Sequence, residues 1–420
     1  MRPDDHSLEA GKGLAGAADE RDPFPAEALE ALAVAAQEAD PGSLGAATRL
    51  RGRFDAEVAA WALSQESLRR KARAKFAAAD RMLFTPAGLE QGTRDRVRRW
   101  RAGHFREAGV REVWDLGCGI GADAMAFAEA GLAVVGVEAD AATAEVARHN
   151  LSVVGMRASG EQASTGGDAL VPDAETVIVG RAEDLAPPAE AAIFLDPARR
   201  TSRGRTWNVA DFTPPWSLVL DYLASDRFVC VKLGPGLPKE LIPDGVHACW
   251  VSDGGDVVEV SLWNRWEQGH SAVLLGDGAT HCLRRDTGQA AVELPVGALG
   301  RYVYEPDGAV IRAGLIGEAF AATEARLLDG QVAYVTADEV IDTPYATCFE
   351  VRDVLDYNLK TLKAYVRDRR LGTVEIKKRA IDVDPAQLRR QLKPSGPESA
   401  TLILARTVDG TKAIIATRQR

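Results

Sequence analysis

The amino-acid sequence predicts an α/β fold with a mostly parallel sheet, preceded by a helical region and followed by a small α+β domain. Between Val110 and residue 276, short apolar runs alternate with helical segments, which is typical of a parallel sheet covered on both faces. Residues 24–108 are rich in Ala and Leu, have apolar residues three and four apart, and lack strand-like alternation, which indicates helices. Residues after 346 mix both patterns and end in a hairpin across Asp409 and Gly410.

These changes of pattern divide the 420 residues into five predicted segments. They are a loose tail (1–23), a helical N-terminal domain (24–108), a sheet domain (109–276), a connecting region (277–345) and a C-terminal α+β domain (346–420). No internal repeat and no long low-complexity stretch interrupts them.

The sheet domain opens with the strand VREVWDLG (110–117), and the helix that follows ends at Gly131, since glycine is common just beyond a helix C-terminus. Further strands are predicted at LAVVGVEAD, TVIVGRAEDL, AAIFLDPARR and DRFVCVKLGPG. Residues 257–263 and 271–276 are two more apolar runs with little room for a helix between them. Because parallel neighbours need a long crossover, we expect an antiparallel strand at one edge of the sheet. In the C-terminal domain we predict a helix at 353–370, a strand at 372–378, a helix at 384–392 and the final hairpin.

Composition excludes several classes of protein. The five cysteines are scattered and never spaced as CxxC, which argues against a disulfide framework and a zinc site, so we expect no metal. No apolar run reaches the ~18 residues that a membrane helix needs, so we expect no membrane partner. The first residues, MRPDDHSLEAGKG, lack the apolar segment of a secretory signal. We therefore expect a cytoplasmic protein.

Two basic segments stand out in a chain whose formal net charge is −10. Residues 69–106 carry twelve Lys and Arg against three acids, and residues 359–393 carry eleven against four. Such segments on an acidic chain are candidate contacts for the phosphates of a nucleic acid. The alternative is that they are ordinary solvated faces of helices.

The glycine-rich segment VWDLGCGIGADA (113–124) is a candidate ligand site. A strand delivers Asp115 to a turn containing Gly117, Gly119 and Gly121, and a helix follows at once. Glycines allow positive φ and a close approach of the backbone to a ligand. In a doubly wound sheet this turn lies at the carboxyl end of the first strand, where ligands bind.

Acidic residues at the ends of the next two strands extend this site. Glu138 lies 21 residues after Gly117, the spacing at which a carboxylate can bridge two ribose hydroxyls. After the third strand, Glu183 and Asp184 are placed to contact an adenine ring. A nucleoside-containing ligand is therefore predicted.

The glycines alone leave the ligand open, because GCGIGA also fits the dinucleotide fingerprint G-x-G-x-x-A, and a purely structural turn is a further alternative. Asp115 stands where a carboxylate can hold the amino group of a methionine moiety. A nicotinamide site also needs a second mononucleotide half, and no second glycine turn is present. Asp115 and the DPAR sequence at the end of the fourth strand, described next, favour S-adenosylmethionine (SAM) as the cofactor.

The fourth strand ends in Asp196-Pro197-Ala198-Arg199-Arg200, where many methyltransferases carry a (D/N)PPY-like motif. Asp196 and the rigid Pro197 carbonyl are predicted to hold an acceptor amine, and Arg199 belongs to a cluster of four arginines that suits a phosphate backbone. The aromatic residue that would stack on a flipped base is missing from this motif. Trp207, Phe212 and Trp216 are all open candidates for that role.

DPAR also has a likeness to the DPPR of 5-methyluridine methyltransferases, which use a cysteine nucleophile. The nearest cysteine, Cys230, lies within FVCVKLG, where alternation favours burial, and the SCNP-like motif of those enzymes is missing. Covalent cysteine catalysis is therefore disfavoured.

Together the motifs resemble those of bacterial class I SAM-dependent methyltransferases with a C-terminal THUMP-like domain. The matching stretches cover about nine-tenths of the chain and leave out the first ~25 residues; they are RRKARAKFAAADRMLFTPAGLEQGTRDRVRRWRAGHF, DLGCGIGAD, LDPARR, VKLGPG, YEPDGAVIRAGL and VEIKKRAIDVDPAQLRRQLKPSG. The resemblance implies a Rossmann-like methyltransferase sheet with a THUMP-like α+β domain, and methyl transfer to an acceptor that the family does not define. Because true THUMP domains bind structured RNA, it also implies an RNA partner.

Three functional hypotheses follow. In the first, the protein methylates a base in tRNA or rRNA and holds the RNA through residues 69–106 and 359–393. In the second, it methylates a small molecule or a protein, and the N-terminal helices form a lid. In the third, it binds SAM or RNA without catalysis.

Overall fold

The computed structural model describes residues 24–158, 176–199, 207–276 and 278–419, which form two compact units divided in the sequence between Val231 and Lys232. The tail predicted for residues 1–23 lies outside the described residues, as do Arg200, Arg203 and Arg205 of the arginine cluster.

The described part of the first unit begins with five helices, which agrees with the helical character predicted for this region. These are α1 (Ala26–Ala35), α2 (Leu44–Arg51), α3 (Ala56–Ala72), α4 (Pro86–Gln91) and α5 (Asp95–Glu107). Local sequence explains their ends: Ser43 and Asp55 cap α2 and α3, and Thr85 caps α4 with Pro86 at the first helical position, as expected for such residues.

A parallel sheet follows in the same unit. Its strands are β1 (Glu112–Leu116), β2 (Ala133–Glu138), β3 (Val177–Val179), β4 (Ala192–Leu195) and β7 (Val229–Leu233), in the order β7-β4-β1-β2-β3. Each neighbouring pair is parallel. Helices α6 (Ala122–Glu129), α7 (Ala141–Ala158) and α8 (Trp216–Leu223) connect the strands, and the short strands β5 (Ala198–Arg199) and β6 (Phe212–Thr213) pair beyond β4.

Aromatic packing joins the helices of this unit to its sheet. The ring centroids of Phe105 and Phe127 lie 4.8 Å apart, and those of Phe127 and Phe194 lie 5.5 Å apart. All three side chains are buried. The apolar faces of α5, α6 and β4 therefore share one core, and the parallel α/β prediction is confirmed.

The second unit contains a strand that the sequence did not reveal. Strands β8 (His247–Asp253), β9 (Asp256–Trp263), β10 (Gly269–Leu275) and β11 (Thr280–Asp286) lie in the order β11-β10-β8-β9. In the sheet, β8 lies between β9 and β10, which are the two runs predicted as a closely spaced pair. It is antiparallel to β9 and parallel to β10. Every residue of β8 is buried, but His247, Ser252 and Asp253 interrupt the continuous apolar run that indicates a buried strand. The sheet does have an antiparallel edge strand, but this strand is β11, which pairs with β10 and lies beyond the two runs from which the edge was predicted.

The remaining strands of the second unit form a seven-stranded sheet. Its order is β13-β14-β12-β15-β18-β17-β16, made of β12 (Tyr302–Pro306), β13 (Arg326–Asp329), β14 (Val332–Ala337), β15 (Ala346–Asp356), β16 (Leu371–Arg379), β17 (Glu398–Thr407) and β18 (Gly410–Arg418). Helices α9 (Gly308–Ala313) and α10 (Ile316–Ala319) follow β12, while α11 (Leu359–Asp368) and α12 (Pro385–Leu392) flank β16.

Both faces of this sheet are covered. Leu402 and Leu404 pack with Leu362 and Leu388 of the two helices, whereas Ile403 lies in a separate cluster with residues of β12–β15, as period-two alternation requires. The predicted helix at 353–370 is wrong in its first part, because residues up to 356 belong to β15. β15 is antiparallel to β12, so one sheet includes strands from both sides of the predicted boundary at 345/346. This boundary and the other segment limits stay predictions.

In the described ranges, no helix combines the length and the apolar character needed to span a bilayer.

Candidate functional site

The glycine turn after β1 has the geometry that its sequence requires. Gly117, Gly119 and Gly121 have φ values of 92°, 56° and 76°, a region that other residues rarely adopt. A Cβ added at Gly117 or Gly119 would meet no atom within 4 Å, whereas one at Gly121 would lie 3.3 Å from the Ala147 Cβ. The first two glycines therefore border open space, and the third allows α6 and α7 to pack closely.

Glu138 fixes the turn against the end of β2. The Gly119 N–H donates to one carboxylate oxygen at 3.0 Å, and the Asp140 N–H donates to the other at 2.9 Å. The N–H groups of Gly117 and Cys118 both donate to the Val137 carbonyl oxygen, at 2.8 and 2.9 Å. Each carboxylate oxygen can accept more than one hydrogen bond, so Glu138 retains capacity for a ligand.

A cavity of about 540 Å³ opens above this turn, within the range of small-molecule sites. Five predicted site residues line it: Gly117, Gly119, Glu138, Glu183 and Asp196. The described part of the first unit thus brings together residues that follow four different strands, β1 to β4. This is the crevice expected at the carboxyl ends of a doubly wound sheet.

The other predicted residues do not line the cavity. Asp115 is buried within β1 at 1% exposure, and Gly121 packs against α7. Asp184 is exposed beside Glu183, Pro197 is buried after Asp196, and Arg199 lies on β5. Their predicted roles stay predictions.

Arg181 is a cavity residue that the sequence analysis missed. Its Nε donates to Glu183 Oε1 at 2.8 Å, and this carboxylate raises the pKa of the guanidinium through their hydrogen bond. The pair holds the Glu183 side chain at the cavity wall after β3. The sequence did contain a signal for this residue, because Arg181 lies two positions before Glu183, which was a predicted site residue.

A wall of the same cavity comes from the helical N-terminal region. Residues 82–93, which we call the cover segment, contain α4, and five of their side chains or backbones line the cavity. These are Thr85, Ala87, Gly88, Gln91 and Gly92. None was predicted as a site residue, although TPAGLEQGT was among the stretches that carried the family resemblance.

Buried amides anchor the cover segment at one end. Asn150 accepts from the Leu83 N–H at 2.8 Å and donates to the carbonyl oxygens of Leu83 and Ile120 at 3.0 and 2.8 Å. The Gln65 amide makes two 2.9 Å hydrogen bonds to the backbone of Phe84. Because buried amides with satisfied hydrogen bonds specify geometry, the segment has a defined position over the glycine turn.

Asp123 anchors the other end. Its carboxylate accepts from the Thr93 hydroxyl at 2.7 Å and pairs with Arg101 of α5. Arg98, one helical turn earlier, donates to the Ala122 carbonyl oxygen at 2.9 Å. The cover segment is thus connected to both sides of the turn that ends in α6.

Beside Asp196, the cavity is lined by Ala198, Thr213 and Pro214. The Phe212 ring packs in a tilted arrangement against Trp216 and Trp207, with centroid distances of 5.4 and 6.1 Å. Phe212 is buried and both tryptophans are half-buried. Aromatic surface therefore lies next to the Asp196 side of the cavity, as a candidate stacking platform. Cys230, in contrast, is fully buried in β7.

The prediction that residues 69–106 form a basic contact surface is wrong for three of their arginines. Arg69, Arg98 and Arg101 are buried, and Arg69 donates to the Met82 carbonyl oxygen at 2.8 Å. Arg98 and Arg101 lie three residues apart on the face of α5 that packs against α6, so their side chains make contacts in the protein interior. The exposed cations of this segment are Lys71, Arg73, Arg81, Arg96, Arg99 and Arg106.

The basic segment 359–393 keeps its cations at the surface. Lys360, Lys363 and Arg367 share one face of α11 and line an open groove, as their spacing requires. The other exposed cations are Arg369, Arg370, Lys378, Arg389, Arg390 and Lys393. Lys377 differs, since its ammonium pairs with Glu305 at 2.6 Å.

Comparison with known proteins gives a consistent picture. The family described as THUMP domain-like matches residues 346–418. Two curated Mycobacterium tuberculosis proteins, from strains CDC 1551 / Oshkosh and ATCC 25618 / H37Rv, are named uncharacterized S-adenosylmethionine-dependent methyltransferases. Each is 31% identical over 383 residues, covering 86% of this chain and 96% of its own length.

Among solved structures, a crystal structure assigned as a methyltransferase from Porphyromonas gingivalis W83 superposes with a TM-score of 0.71. It is 21% identical and covers 94% of this chain and 98% of its own. This likeness supports the fold.

Proposed function

The chain belongs to the family of S-adenosylmethionine-dependent methyltransferases, and we propose that it methylates a base in structured RNA, either tRNA or rRNA. SAM is the methyl donor of this family. The observation that carries the RNA part is the THUMP domain-like match at residues 346–418, with the cationic face of α11 inside that range.

The cavity suits SAM in size and in chemistry. Gly117 and Gly119 leave open space where any side chain would intrude, so the ligand can approach the backbone. In our proposal the Glu138 carboxylate accepts hydrogen bonds from the ribose hydroxyls, and Glu183 contacts the adenine. SAM itself supplies a methyl group activated by a positively charged sulfur.

We retain Asp115, Gly121 and Asp184 in supporting roles. The buried charge of Asp115, directly before the turn, favours the ammonium group of the methionine moiety through space. Gly121 permits the close packing of α6 and α7. Asp184, which is exposed next to Glu183, is assigned to the edge of the adenine ring.

The acceptor is assigned to the Asp196 side of the cavity. Methyl transfer is an in-line displacement, so the main demand is to hold the acceptor nitrogen about 3–3.5 Å from the methyl group. The Asp196 carboxylate and the Pro197 carbonyl accept hydrogen bonds from an exocyclic amine and so orient its lone pair. Arg199, on the strand that begins with the cavity residue Ala198, neutralises a neighbouring phosphate.

Electrostatics favours RNA over a small neutral acceptor. Lys360, Lys363 and Arg367 present three cations along α11. Within the described residues, the ion pair that these cations make with a carboxylate is the exposed Arg367–Asp368 contact. A face of this kind matches a phosphate backbone, whose binding is driven by counterion release. The exposed cations of residues 69–106 add positive charge to the surface of the first unit, although Arg73 and Arg99 form ion pairs with carboxylates.

Radiolabelled SAM tests the proposal directly. The purified full chain is incubated with labelled SAM and, in separate reactions, with total tRNA, rRNA, a protein fraction and a metabolite fraction from cells lacking the gene. We expect label in one RNA fraction, and mass spectrometry of RNA from cells with and without the gene should show the loss of one methylated base.

The fractions also separate the alternatives. Label in protein or metabolites alone would contradict the RNA substrate and leave methyl transfer intact. SAM binding with no transfer to any fraction would favour a non-catalytic role.

A further inference from the structure

The cover segment lies directly on the glycine turn. A Cβ placed on Gly88 would stand 2.3 Å from the Ile120 Cγ2, so this glycine allows α4 to touch the turn. Gln91 lies three residues after Gly88, on the same side of the helix, and it is an exposed residue that lines the cavity. The position of Gln91 is therefore defined by packing between the N-terminal helices and the cofactor turn.

Once the ribose, the adenine and the acceptor are assigned, one region of the cavity is left for the amino-acid end of SAM. The ribose and adenine are assigned to the ends of β2 and β3, at Glu138 and Glu183, and the acceptor to the end of β4, at Asp196. What remains is the space between the β1 turn and the cover segment. The methionine ammonium and carboxylate need both a hydrogen-bond acceptor and a donor there.

Gln91 offers both. A glutamine amide carries an acceptor oxygen and two donor hydrogens and has no net charge, so it suits a zwitterion. The Thr85 hydroxyl oxygen already accepts from the Gly88 N–H at 3.0 Å, and its proton can still be donated to a ligand. The nearby Asp123 is engaged by Thr93 and Arg101, so it does not repel the ligand carboxylate as an uncompensated charge would.

We propose that Gln91, supplied by the helical N-terminal region, is a cofactor-binding residue that hydrogen-bonds the amino-acid end of SAM. The inference rests on the assignment of SAM to this cavity and is independent of the acceptor. It makes the N-terminal helices part of the cofactor site, where the sequence had suggested a separate domain.

Two ligands that differ only at one end test this inference. S-adenosylhomocysteine contains the whole amino-acid part, whereas 5′-methylthioadenosine keeps adenine and ribose and lacks the amino-acid ammonium and carboxylate. Dissociation constants for both are measured by calorimetry on the full-length wild type, Gln91→Ala, Gln91→Glu and Glu138→Ala. Glu90→Ala is the matched control, because Glu90 is exposed on α4 and does not line the cavity.

We expect Gln91→Ala to weaken S-adenosylhomocysteine about tenfold, as the loss of one hydrogen bond to a charged group does. Gln91→Glu should weaken it further by repelling the carboxylate, and both variants should bind 5′-methylthioadenosine as the wild type does. Equal weakening of the two ligands, or unchanged affinity for both, would overturn the inference. If Glu138→Ala leaves both affinities unchanged, the assignment of SAM to this cavity fails instead.

Discussion

Arg101 and Asp123 form a buried ion pair that joins α5 to α6, the helix that begins at the end of the glycine turn. The guanidinium also lies over the Phe194 ring, 4.8 Å from its centroid. One side chain therefore connects the N-terminal helices, the cofactor turn and the central sheet of the first unit. This explains why an arginine in a markedly basic segment is absent from the surface.

Removing this arginine should destabilise the first unit strongly. Arg101→Ala leaves the buried Asp123 carboxylate without its cation, and breaking a buried pair in this way costs about 3–5 kcal/mol. Urea unfolding of the variant should show the loss as a lower midpoint. Arg106→Ala removes an exposed cation of the same helix and should change the stability by no more than about 0.5 kcal/mol. Equal effects would contradict the buried role of Arg101.

Gly88 should tolerate no side chain. Gly88→Ala places a methyl group 2.3 Å from the Ile120 Cγ2, and we expect this overpacking to cost about 1–3 kcal/mol and to weaken cofactor binding by moving the cover segment. Adding Ile120→Ala should restore part of the loss in a double-mutant cycle. Gly103→Ala on α5, where a Cβ meets nothing within 4 Å, should stabilise the helix by about 0.5–1 kcal/mol.

The glycine-turn side of the cavity was largely predictable, because its pattern is local. Positive φ at Gly117 and Gly119 requires glycine, and the strand that follows places Glu138 at the same edge of the sheet. The α+β character of the C-terminal domain was predictable from the periodicity of its strands and helices after residue 371, whereas its THUMP-like identity came from the family resemblance of its sequence.

Other features depend on tertiary packing, which a single sequence does not display. Gln91 precedes the glycine turn by more than twenty residues, and tertiary contacts such as that of Gly88 with Ile120 bring it to the cavity. The burial of Arg98 could not be read from its charge. β8 was missed because the polar residues His247, Ser252 and Asp253 interrupt its apolar run, although all three are buried.

Glu138 should control affinity for every ligand that contains the ribose. Glu138→Ala removes the acceptors assigned to its hydroxyls, and the Gly119 and Asp140 N–H groups lose their partners. We expect S-adenosylhomocysteine to bind about tenfold more weakly or worse, given the value of a charge-assisted hydrogen bond. Calorimetry measures this, with Glu145→Ala on the exposed face of α7 as the control. Retained affinity would place the ribose elsewhere.

His247 should make the second unit sensitive to acid. Its Nδ1–H donates to the Glu267 carbonyl oxygen at 2.7 Å and its Nε2 accepts from the Ser271 hydroxyl at 2.8 Å. Burial lowers the pKa of this imidazole to about 4. The unfolded chain then binds the proton more readily than the folded one, so the free energy of unfolding is largest above pH 6.5 and falls as the pH drops from 6.5 toward 4.

This loss should reach about 3 kcal/mol at most. Urea unfolding at a series of pH values measures it, and His247→Gln should flatten the profile between pH 6.5 and 4. His281→Gln, at a half-buried position of β11, serves as the control and should keep the wild-type slope. A profile unchanged by His247→Gln would assign the acid sensitivity to other groups.

The cations of α11 should carry salt-dependent RNA binding if the proposed substrate is correct. In filter binding to total tRNA, replacing Lys360, Lys363 and Arg367 with alanine should make log K fall less steeply with log salt, by about 0.7–0.9 for each phosphate contact removed. A second triple variant replaces Arg301, Arg312 and Arg352, which are exposed in the same unit, and changes the net charge equally. Because only the first set shares one helical face and one groove, the control should keep nearly the wild-type slope. Equal changes in both variants would show that net charge attracts the RNA and that the α11 face is not its binding surface.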